Sequence, residues 1–123
     1  MLRAIIREPE GLPAFLAECE LAHGANARLD AHLIRTRDSI HAVFAGGGGS
    51  GGEERLAAGQ FQARRVVEDL AVALQASLLV RHAPAAVSDA FCAARLDGGG
   101  GRVYGTLPAG VDARAIVDRA LPA

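Results

Sequence analysis

The sequence predicts an all-α fold: a four-helix up-and-down bundle with a short extra C-terminal helix. Three observations predict it. Half of the 123 residues are hydrophobic while only 4 % are aromatic and Trp is absent, so the core must be made of Leu, Val, Ile and many Ala. Alanine is the best helix former, and its small side chain lets helices approach closely. Apolar residues also recur at i, i+3, i+4 and i+7 in one segment after another. Finally, residues 61–96 (FQARRVVEDLAVALQASLLVRHAPAAVSDAFCAARL) read as a long buried helix, a proline break, and an amphipathic helix folded back on it. The rest of the chain is arranged to cover that hairpin.

The elements follow in order. Residues 1–7 are a short apolar and basic lead-in that reads as the end of a longer helix; Arg3 and Arg7, four apart, share a face if it is helical. Glu8 to Ala22 is the first bundle helix, with Pro9 and Pro13 tolerable near its first turn. Leu12, Phe15, Leu16 and Cys19 form its apolar stripe, and Gly24 takes the C′ role that ends it. Asn26 is the expected N-cap of a second helix, about Ala27 to Phe44. Its buried face is Leu29, Leu33, Ile40 and Phe44, with Thr36 or Arg37 between. Arg28, His32 and Arg35 make a basic stripe on the other side, expected to be solvated.

Residues 45–52 (AGGGGSGG) read as a flexible linker within one helical domain spanning residues 1–123. The run satisfies G-x-G-x-x-G only as any glycine run does, and no strand precedes it, so it is not read as a dinucleotide site. Glu53 to Arg81 is the third helix, weak as far as Gln60 because of Gly59. Val67, Leu70, Leu74, Ser77 and Leu78 lie on one face, and Val66, Ala73 and Val80 broaden it; a helix apolar nearly all round belongs in the middle of a bundle. Pro84 biases Ala83 out of the α region and opens a fourth helix to Leu96, with Val87, Ala90, Phe91 and Ala94 inward. Residues 97–110 are a loop with extended character at 102–104, and Asp112 to Ala120 is the short last helix. A looser helical array and half of an intertwined dimer remain alternatives to the bundle.

The bulk numbers bound the function. Thirteen basic and fourteen acidic side chains give a formal charge of −1, and every basic residue is Arg. Nonspecific nucleic-acid affinity scales with the phosphates neutralised, so near-neutrality argues against a strong contribution of that kind from this domain alone. Mean hydropathy is +0.20, with no run apolar enough for a membrane span. The start lacks the apolar run of a signal peptide. Cys19 and Cys92 match no metal or CxxC spacing and read as reduced, buried thiols, which fits a cytoplasmic location.

No catalytic constellation is visible. Among His23, His32, His41 and His82 no pair has the i+4 spacing of two metal ligands, and Asp38 with His41 gives only two. Cys92 has no local base, and Ser77 and Ser88 lack a nucleophile-elbow context. The sequence therefore predicts no enzyme activity, no metal and no cofactor in this chain.

Two stretches, ALQASLLVRHAPAAVSDAFCAARL (73–96) and GRVYGTLPAGVDARAIVDRAL (101–121), resemble the C-terminal helical domain of AidB-like proteins. These form the DNA-alkylation-response branch of the acyl-CoA dehydrogenase family. The opening LRAIIREPEGLPAFLAECE is similar to the segment that leads into that domain. The resemblance implies relatives that bind FAD in a dehydrogenase core lacking here, assemble as tetramers, and contact double-stranded DNA with little sequence preference. On that reading this chain's partners are duplex DNA, the dehydrogenase core and neighbouring subunits. The resemblance places Arg3 at a DNA-facing arginine. A second such arginine belongs in the loop after Leu96-Asp97, where this sequence has glycine at 98–101 and Arg102 is the nearest. Arg3, Arg7 and Arg102 are thus the candidate DNA-contacting residues. The alternative is an excised bundle, its native loop replaced by AGGGGSGG, serving as a scaffold or binding module.

Overall fold

The chain is described here from a computed structural model over residue 8 and residues 10–45, 52–97 and 107–122, with side chains over 8, 10–43, 62–97 and 107–122. Regular structure among these residues is entirely helical: α1 (Gly11–Glu20), α2 (Ala27–Ala45), α3 (Gly52–His82), α4 (Ala85–Arg95) and α5 (Ala113–Ala120). The linker reading of 45–52 is bounded by the end of α2 and the start of α3, and 46–51 lie outside the described residues. The lead-in 1–7 and the extended character at 102–104 lie outside them too.

Local chemistry sets most helix ends. Asn26 caps α2 as expected: its Oδ1 accepts from the backbone N–H of Arg28 at 3.0 Å and of Leu29 at 3.3 Å. Those are two of the orphan donors of a first helical turn. Asp112 does the same for α5, accepting from Ala115 N at 3.0 Å. The first helix ends at Glu20 with Leu21 as its C-cap, before the Gly24 position expected to end it; Gly24 instead has φ +80° within the following turn, a left-handed conformation that a Cβ disfavours. Asp30 then locks the α1–α2 corner, accepting from Gly24 N at 3.2 Å and lying 3.1 Å from His23 Nδ1.

Helix bounds differ from the sequence expectation by up to three residues, most at the start of α1. Helix α1 starts at Gly11 rather than Glu8; Glu8 contributes only a turn, its carbonyl accepting from Gly11 N at 3.0 Å. Pro84 sits one residue before α4 with ψ 145°. Its extended conformation leaves its carbonyl free to accept from Val87 and Ser88 N–H. Helix α3 runs unbroken through Gly59. An interior glycine costs about 1 kcal/mol relative to alanine, which strong helix formers on either side can offset.

Two apolar clusters give the direction of each helix. One joins Cys19 and Ala22, Leu29 and Leu33, Ala73 and Ala76, and Cys92 and Leu96, from all four bundle helices and their ends. The other joins Ile40, Val66 and Leu70, with Leu12, Phe15, Leu16 and Val43 packed on them. Going from the second cluster to the first, α1 and α3 ascend in residue number while α2 descends. Asn26 lies beside Asp89, and Arg35 beside Leu96, so α4 runs with α2. The bundle is up-down-up-down with α3 in contact with α1, α2 and α4, and α5 lies on α4. At 1.5 Å per residue the 31-residue α3 is about 46 Å long and the 11-residue α4 about 16 Å. Only one end of α3 therefore has a complete four-helix surround.

The buried face of α3 includes Leu70 and Ser77 as predicted and the flanking Val66 and Ala73, but its centre is shifted away from Val67 and Leu78. Val66, Leu70, Ala73, Ala76 and Ser77 are buried, whereas Val67 and Leu78 are exposed. The reason is that a helix apolar all round carries no mark of which side its neighbours will occupy. Close helix approach at the four-helix end selects the side with Ala73 and Ala76. On α4 the deepest residues are Ser88, Ala90, Cys92 and Leu96, with Phe91 partly buried against them.

Candidate functional site

The candidate DNA-contacting residues Arg3, Arg7 and Arg102 lie outside the described residues. What the structure does assemble is a polar seam along α2, built from the stripe Arg28, His32 and Arg35. The sequence reading leaves this stripe solvated; the structure keeps Arg28 and Arg35 exposed, though paired, and corrects the reading at His32. His32 is 7 % exposed, and its Nε2 lies 2.9 Å from the Asp69 carbonyl of α3. A carbonyl can only accept, so Nε2 carries a proton and donates. Arg35 donates to the Leu96 carbonyl at 2.9 Å. That places a cation at the negative end of α4, where it is favoured. Arg28 Nε meets Asp97 Oδ2 at 2.5 Å, both side chains about half exposed. The hydrogen bond and charge of Asp97 push the Arg28 guanidinium further above its usual range. The stripe thus ties α2 to α3 and to the end of α4. A signal was present: Arg28, His32 and Arg35 share a face that adjoins the Leu29–Leu33 stripe, and Asp97 directly follows the α4 pattern.

A second polar group lies between α1 and α3. Arg81 donates to Glu18 Oε1 at 2.7 Å, and Ser77 Oγ is 3.5 Å from the Glu18 carbonyl. Arg81 Nε is buried with no partner, an arrangement that costs about 1–3 kcal/mol when left unmade. Glu20 and Arg37 form an ion pair from α1 to α2.

The thiols are free and fully buried, as the sequence reading expects. Burial pushes Cys92 from an ordinary 9.0 to about 11, with the Asp89 charge adding to the rise and Arg28 opposing it. Burial also raises Cys19, followed by the Glu18 charge, while Arg81 lowers it. Both are held as protonated thiols at neutral pH, the unreactive form. His41, His82 and Asp38 are exposed, and no group of three metal-ligating side chains occurs among the described residues. No helix among them is long and apolar enough to cross a membrane.

Fold and polar seam together define a class: a small helical bundle with a polar seam joining α2 to α3 and α4. No family model, no curated protein and no solved structure matches the chain.

Proposed function

We propose that this chain is a non-catalytic helical domain of the kind found at the C-terminus of AidB-like acyl-CoA dehydrogenase relatives, serving assembly with sequence-nonspecific duplex DNA contact. The observation that carries the reading is the sequence of residues 73–96, which resembles that domain and which here supplies both helices of the core hairpin, α3 and α4. The reading assigns no catalysis and no FAD site to this chain; FAD belongs to the core of full-length relatives. Its support on the chemical side is that both cysteines are buried and held protonated, and that the α2 arginines spend their charge on Asp97 and on the end of α4. DNA contact then falls to Arg3, Arg7 and Arg102. Two reduced thiols fit a cytoplasmic setting.

Anisotropy of a labelled DNA duplex, titrated with protein at low and at moderate salt, tests this. Binding should weaken as salt rises, and replacing Arg3, Arg7 and Arg102 together by Ala should flatten the salt dependence, because each lost phosphate contact removes one released counterion. Absence of binding up to ~0.1 mM protein at low salt, the weak limit of nonspecific DNA affinity, overturns the DNA role. The alternative, an excised bundle used as a scaffold, is favoured by the Gly/Ser run that links α2 to α3. It predicts no DNA binding at any salt and an unchanged fold when that run is lengthened.

A further inference from the structure

We draw no further inference here: the strongest candidate, the exposed apolar stripe of Val67, Ala71 and Leu78 on the outer side of α3 with exposed Leu21 at the end of α1, carries none because nothing in the structure shows what covers it.

Discussion

The two ends of the bundle are built differently. Where all four helices meet, the buried residues are small or slender: Ala22, Ala73, Ala76, Cys19 and Cys92 surround Leu29, Leu33 and Leu96. Where only α1, α2 and α3 meet, the buried residues are Ile40, Val66 and Leu70, with no alanine or cysteine among them; partly buried large side chains pack on both clusters, Phe15 and Phe91 on the first and Leu12, Phe15 and Leu16 on the second. The four-helix end is also cross-linked by polar contacts, Asn26 to Asp89, Arg28 to Asp97, Arg35 to the Leu96 carbonyl and Arg81 to Glu18. Small buried side chains at the four-helix end permit close helix approach, and the polar contacts tie the helices at its rim.

The sharpest test of this contrast is one substitution made at each end. Leu29 is fully buried and Leu70 nearly so. Leu29→Ala should cost toward the upper part of the ~2–5 kcal/mol range for buried leucine, since close-packed neighbours relax little into the cavity. Leu70→Ala should fall toward the lower part, because the three-helix end can collapse. Urea denaturation of both variants reads the difference, and equal losses would remove the distinction.

The next effect is a pH dependence located at the four-helix end. Cys92 lies at about 11 in the fold against an ordinary 9.0. The unfolded chain therefore loses this proton first. The stabilisation is fully present below about pH 9 and is lost as pH rises through about 11, with a limit of about 2–3 kcal/mol for a shift of that size. Denaturation between pH 8 and 11 should show this decline, and Cys92→Ala should remove most of it. A decline of the same size in that variant would place its source elsewhere.

Overpacking tests the role of small residues. Ala76 is fully buried, and Ala76→Leu should destabilise by about 1–3 kcal/mol as helices are forced apart. A neutral result would mean that the four-helix end is looser than its composition implies. The smallest effect is expected at the corner where α2 begins. Asn26→Ala removes two accepted N–H bonds and should cost ~1 kcal/mol. Asn26→Asp should restore the cap, though it places a second carboxylate beside Asp89. Thermal melts of both variants separate capping from the tie to α4.

Much of this fold was legible in the sequence, for reasons that differ by element. Asn26 acts on its own backbone within a few residues, so its capping role was read without a tertiary structure, while Pro84 and Asp112 were placed at the right helix starts but one residue inside them. The stripes of α1 and α2 were legible because a polar face opposes each apolar one; Leu29, Leu33, Thr36 and Ile40 are all buried where the pattern put them. The seam was not. Histidine and arginine read as solvent-facing by default, and His32 is buried only because the Asp69 carbonyl of another helix satisfies it. The proposed DNA-contacting arginines rest on resemblance and not on any local rule.

The sequence by itself determined that the chain is helical, roughly where each helix lies, and that its core is made of small aliphatic side chains, because each of these depends on backbone preferences and on periodicity along one segment. Only the tertiary structure decided which side of α3 is buried. Val67 and Leu78 are as apolar as Val66 and Leu70, yet they face outward. Between apolar faces of one helix the choice lies with the neighbours, and close approach of α2 and α4 is cheapest over Ala73 and Ala76.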